Sequence, residues 1–108
     1  SLAHCVYYGA STIPECEKHL HSEIVAFGVL CLLTYDNQIE ERDRILKFNK
    51  SIGLPVTLAE IGMKESDLEK VAEKASSVVE WTYVPGNPTQ EKFIESIKST
   101  DRAGKEQN

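Results

Sequence analysis

His4 and His21 are the residues of this sequence whose type and placement suggest chemistry. An imidazole binds zinc or iron through one ring nitrogen while an outer partner fixes the other. The second histidine follows the first by seventeen positions, and each lies at the edge of an apolar, helix-compatible segment. A reachable site can form at such edges, and we read the pair as two ligands of one divalent metal. The spacing alone has little specificity, and two ordinary surface or interface histidines would produce the same pattern. A second grouping, Cys5, Cys16, His19 and His21, has the ligand types of a structural zinc site. Its spacings match no familiar zinc motif, so small core residues and a solvated connector are the plainer reading.

The element that must hold His21 is the stretch it opens. After Ser22 and Glu23 come ten residues, Ile24 to Leu33, with no polar hydroxyl, amide or charge. A helix apolar all round is expected to be central and buried on every side. The run is too short for a bilayer, which needs about 20 apolar residues. We place this helix at 22–35, with Ser22 and Glu23 in its first turn, where an oxygen acceptor and a negative charge suit the exposed N–H groups.

Around it the chain reads as helices with short connections. Residues 2–12 form a short helix, broken near Thr12 by Pro14. Glu15 to Leu20 is a polar connector. Asn37 with Glu40 resembles a capping box opening a helix, whose apolar stripe comprises Ile39, Ile45, Leu46, Phe48 and Ile52, with the charges of residues 40–44 facing water. Gly53-Leu54-Pro55 stops it. Thr57 with Glu60 is a second box, closed by Gly62, and Ser66 with Glu69 a third. The third leads an amphipathic helix through Leu68, Val71, Ala72, Ala75 and Val78. Residues 79–88 look extended or looped, and Val78–Val84 is the lone strand candidate. Trp81 and Tyr83 there pack the loop onto the bundle or, less plainly, stack on a ligand. Thr89 caps a last helix ending near Gly104, before a frayed tail at 105–108. The fold class is all-α, an irregular bundle of five to six helices.

Composition narrows the function. The 108 residues carry 12 basic and 17 acidic side chains, net −5, which argues against a nucleic-acid or anionic-membrane surface. The acidic runs at 40–43 and 65–69 alternate with Arg42, Arg44, Lys64 and Lys70, as a solvated face does. Three cysteines without a CxxC pair fit a reducing, cytoplasmic setting. No glycine-rich phosphate loop, HExxH or GxSxG motif occurs.

Three stretches then carry a family resemblance: Ala3-His4-Cys-Val-Tyr-Tyr-Gly9, His21-Ser-Glu-Ile-Val-Ala-Phe-Gly28, and Ser51-Ile-Gly-Leu-Pro-Val-Thr-Leu-Ala59. In order and spacing they resemble the C-terminal helical domain of the iron-containing alcohol dehydrogenase superfamily, and most of all its glycerol dehydrogenases. The resemblance runs over about residues 2–104. It implies a dehydroquinate-synthase-like helical domain, and zinc (or iron) held by His4, His21 and an aspartate from a separate NAD-binding domain. It also implies oxidation of a small polyol with NAD as hydride acceptor. No counterpart of the aspartate or of the NAD-binding domain lies in these 108 residues, so we expect them to be inactive by themselves. Ser22 stands where the family has glycine, and Thr82-Tyr-Val-Pro85 where it has His-Asn-Met-Pro. The alternative is a non-enzymatic helical interaction domain, a remnant of such an enzyme. Its exposed apolar face would bind another chain or self-associate.

Overall fold

A computed structural model describes residues 1–107; Asn108 lies outside the described residues. It contains five α-helices: α1 (Leu2–Ala10), α2 (His21–Tyr35), α3 (Ile39–Ser51), α4 (Leu68–Ser77) and α5 (Gln90–Lys105). Short 3-10 turns occupy Pro14–Lys18, Ala59–Ile61, Glu65–Asp67 and Val79–Tyr83. The fold is all-α, and no strand occurs among the described residues. The Val78–Val84 segment is a 3-10 turn rather than a strand. None of the described helices is long and apolar enough to cross a membrane.

α2 is the hub. It packs on α1, α3 and α5, while α4 joins α1 to α5. The main core gathers Leu2, Val6, Phe27, Leu68, Val71, Phe93 and Ile97 with their neighbours. Each fully buried Phe or Leu contributes about 1.5–3 kcal/mol. A smaller cluster of Leu30, Leu46 and Val56 seats α3.

The expectation that α2 is buried on every side does not hold. Ile24, Phe27, Gly28, Leu30 and Cys31 are buried, but Val25, Ala26, Val29 and Leu33 are only half-covered. Three neighbouring helices in a chain of this size leave part of the hub facing outward.

Several helix ends differ from the sequence reading, each for a local reason. Asn37 does not cap α3. It adopts a left-handed φ of 58° and closes α2, with the Gln38 N–H donating to Leu33 O at 2.8 Å. Such a backbone satisfies orphan carbonyls at a C-terminus. The box at Ser66 is shifted two residues earlier, with the Lys64 N–H donating to Asp67 Oδ2 at 2.9 Å. α2 begins at His21, where the Leu20 N–H donates to Glu23 Oε1 at 2.9 Å. α5 ends beside Gly104, as expected, one residue further on. A Cβ on Gly104 would stand 1.9 Å from the Val56 carbonyl oxygen, so this position allows α5 to pass against the 54–58 segment. The helix runs on to Lys105, and the N–H groups of Glu106 and Gln107 still donate to Arg102 O and Gly104 O.

The stripe assigned to α3 is only partly internal. Leu46 is buried, whereas Phe48 is 61% and Ile52 57% exposed, and Arg42, expected among the water-facing charges, is instead buried, its guanidinium donating to Asp43 Oδ1 and Thr34 Oγ1. Phe48 lies two positions from Leu46, which on a helix puts it well round from the buried face. Elsewhere the reading matches. Gly53, at φ 83°, closes α3 with the Leu54 N–H donating to Asn49 O at 2.9 Å. Thr89 Oγ1 accepts from the Lys92 N–H at 3.1 Å and caps α5.

A candidate metal-ligand pair on two crossing helices

α1 and α2 cross antiparallel and closely. A Cβ on Gly28 would lie 2.7 Å from the Ala3 carbonyl oxygen, so bare backbone at residue 28 is what lets the helices approach. One turn further along α1, the Tyr7 ring stacks on the His21 imidazole, with centroids 4.1 Å apart and planes inclined by 22°. His4 precedes Tyr7 by three residues and so projects from the same side of α1. Both histidines are exposed.

His4 Nδ1 is paired with Ser1 Oγ at 3.1 Å, and no described residue engages its Nε2. An outer partner on one nitrogen with the other left free is the usual state of a metal-binding imidazole. Among the described residues no three His, Cys, Asp or Glu side chains are grouped so as to hold a metal. Two imidazoles are fewer than the three protein ligands a catalytic zinc site uses, and of the two only His21 lines the cavity beside Tyr7.

A cavity of about 270 Å³ adjoins the stack, lined by residues that include Tyr7, Ser11, Glu17, His19 and His21. His19 Nδ1 lies 3.8 Å from Glu23 Oε1. A wider, open groove of about 570 Å³ runs between the end of α2 and α5, past Thr34, Tyr35, Lys92 and Ser96. Neither His4 nor His21 lines it.

The four-residue zinc grouping is not assembled. Cys5, Cys16 and Cys31 are all buried free thiols. Burial pushes the Cys16 thiol up to about 11, with Asp67 and Glu15 adding to the effect, and burial pushes Cys31 up to about 12. Such thiols keep their protons and make poor ligands or nucleophiles. Trp81 and Tyr83 part company: Trp81 meets Phe93 edge to face at 5.4 Å, while Tyr83 is 73% exposed. The acidic face of α3 is solvated, with Glu41 held below its usual range by the Arg44 hydrogen bond.

Two residues escaped the sequence reading. Tyr7 was legible in principle, because a ring three residues from a candidate ligand shares its helix face. Asp101 gave no such signal. It is 1% exposed, accepts the Leu58 N–H at 2.8 Å and pairs with Lys105 Nζ at 3.0 Å. It ties the 54–62 segment to α5.

Fold and site together define a class: an all-helical unit whose two crossing helices carry exposed His4 and His21. Comparison with known proteins gives the relationship. A glycerol dehydrogenase of Thermotoga maritima is 36% identical over 108 residues, an alignment covering 95% of this chain and 30% of that enzyme. One from Escherichia coli O6:H1 is 33% identical over 107 residues, covering 94% of this chain and 29% of the enzyme. A solved structure, a probable glycerol dehydrogenase from Sinorhizobium meliloti 1021, superposes with a TM-score of 0.90 at 31% identity, over 97% of this chain and 31% of that one. No family model matches the chain. In sequence and fold the chain is thus a homologue of part of the glycerol dehydrogenases, and it spans about 30% of the length of the relatives it matches.

Proposed function

We propose that this chain is the helical, metal-contributing part of an NAD-dependent glycerol or polyol dehydrogenase acting in the cytoplasm, and that it is inactive by itself. The observation that carries this is the α1–α2 crossing, which sets exposed His21 against Tyr7, one turn from exposed His4. In this reading His4 and His21 hold zinc or iron, and a further ligand and the NAD site come from a nucleotide-binding domain. The bound ion supplies Lewis acidity toward an alcohol oxygen, lowering the cost of deprotonating it as hydride leaves. The chain's own residues do the rest. Ser1 orients His4 through Nδ1, leaving Nε2 for ligation. Ser11 and Glu17 line the adjacent cavity and can bond hydroxyl groups there. At about 270 Å³ that cavity is smaller than the ~300–1,000 Å³ of pockets for drug-sized ligands, and suits a small polyol.

The test uses the purified 108-residue chain. We expect weak Zn²⁺ binding that His4→Ala and His21→Ala each abolish and His19→Ala leaves intact, with no turnover of glycerol and NAD⁺. Zinc binding indifferent to both histidines, or turnover by this chain alone, would overturn the reading.

A second reading, a helical interaction unit that binds another chain or itself, draws on the half-covered Val25 and Val29 on α2 and on exposed Phe48 and Ile52. The gene discriminates. A reading frame continuing upstream into a strand, Gly-rich loop and helix favours the dehydrogenase, and a start codon just before residue 1 favours the interaction unit.

A further inference from the structure

We infer that Tyr7 is a positioning residue for the His21 imidazole, holding its ring plane so that one nitrogen faces a metal shared with His4. The inference rests on the metal-ligand reading given above and adds a residue to it.

The geometry is that of a stacked pair rather than incidental contact. The ring centroids are 4.1 Å apart and the planes 22° from parallel. An exposed histidine in the first turn of a helix normally rotates freely about its side-chain bonds, because few neighbours restrict it. A flat ring against one face of the imidazole removes much of that freedom while leaving both nitrogens at the edge unobstructed. Ligation needs the edge and not the face, so stacking restrains the ring without competing for the metal.

Tyr7 is itself held. Its ring meets Tyr8 at 5.8 Å with an interplanar angle of 62°, and it packs against the main core. Tyr8 in turn lies beside the Glu80 carboxylate, which pushes its phenol up. The restraint therefore runs from the Val79–Tyr83 turn through two aromatic rings to the ligand. It does not require the Tyr7 hydroxyl, for which no hydrogen bond is formed among the described residues. Phenylalanine should thus replace Tyr7, and an aliphatic side chain of similar bulk should not.

The experiment adds Zn²⁺ to the 108-residue chain and follows the imidazole signals by NMR, with circular dichroism as the check on folding. In the wild type the His21 ring protons should stand upfield of those of His19 through the ring current of Tyr7. Zn²⁺ should shift His4 and His21 together. Tyr7→Phe should keep the upfield position and bind Zn²⁺ within about twofold of wild type. Tyr7→Leu should lose both, with affinity lower by about tenfold, the lower end of what removing an outer-sphere partner typically costs. If Tyr7→Leu does not fold, Tyr7→Met takes its place, since it fills the same space without a ring. A folded Tyr7→Leu or Tyr7→Met chain with wild-type affinity, or a His21 signal without the upfield shift, overturns the role of Tyr7 even where His21→Ala abolishes binding. Zinc binding that His21→Ala leaves unchanged, or no zinc binding by the wild type, overturns the metal reading and this inference with it.

Discussion

Gly28 on α2 faces the backbone of Ala3 on α1 so closely that a methyl group at residue 28 would lie 2.7 Å from the Ala3 carbonyl oxygen and 3.0 Å from its Cα. Both obstacles are backbone atoms, which cannot swing aside as a side chain can. This contact sets the separation of the two helices that carry His4 and His21.

Gly28→Ala is therefore expected to destabilise the fold. Overpacking costs about 1–3 kcal/mol. Alanine's better helix propensity returns roughly 0.8–1.0 kcal/mol. The net loss should be up to about 2 kcal/mol in urea unfolding, with the His21 ring signals moving downfield as α1 is displaced from α2. An unchanged unfolding midpoint would show that α1 gives way without cost.

Asp101→Ala should cost about 1–3 kcal/mol, because the Leu58 N–H is left buried without an acceptor. Asp101→Asn should cost less, since its amide oxygen can still accept that bond, and the lost pairing is with a lysine that is 61% exposed. Denaturant melts of the two variants check the order. Equal losses would move the weight from the Leu58 bond to the Lys105 pair.

The buried thiols predict an alkaline limb of stability. Burial raises Cys31 from its ordinary value of 9.0 to about 12, with the nearby Asp101 charge adding and a Thr100 hydrogen bond opposing. The folded chain keeps this proton to about pH 12, while the unfolded chain releases it near 9. The contribution is fully present below pH 9 and falls as pH rises through that window. The slope should be about 1.4 kcal/mol per pH unit for this one thiol. Cys31→Ala should flatten the profile between pH 9 and 10.5 relative to wild type. Parallel profiles would mean that Cys31 ionises in the folded state as readily as in the unfolded one.

Exposure on α3 separates two neighbouring apolar residues. Phe48→Ser should change stability by less than about 0.5 kcal/mol, as surface substitutions do. Leu46→Ala should cost about 2–5 kcal/mol, because Leu46 has no exposed surface and sits between α2 and the 54–58 segment. Thermal melts of the pair suffice, and a large loss at Phe48 would restore it to the core.

Much of the architecture is legible in the sequence. Apolar periodicity gave α4 and the apolar face of α5, the Thr89 cap and the Gly53 stop were local chemistry, and the α2 run announced a hub. Local patterns of this kind depend on residues within one or two turns, which the sequence displays directly. The misreadings at Asn37 and Ser66 were choices between two equally local options. Asn serves at either end of a helix, and two acids at Asp67 and Glu69 offer two registers for one cap.

By itself the sequence determined that this is a small helical chain, which residues punctuate it, and which two imidazoles, in a recognisable pattern, are candidates for a metal. Tertiary structure alone decided which faces meet. It set Gly28 against Ala3, laid Tyr7 on His21, passed α5 at Gly104 across Val56, buried Asp101 under Leu58, and turned Phe48 and part of α2 outward. The physical reason is that these contacts join residues distant in the chain. Their existence depends on how helices of fixed diameter share limited apolar surface, a competition settled over the whole fold and not within any one stretch of it.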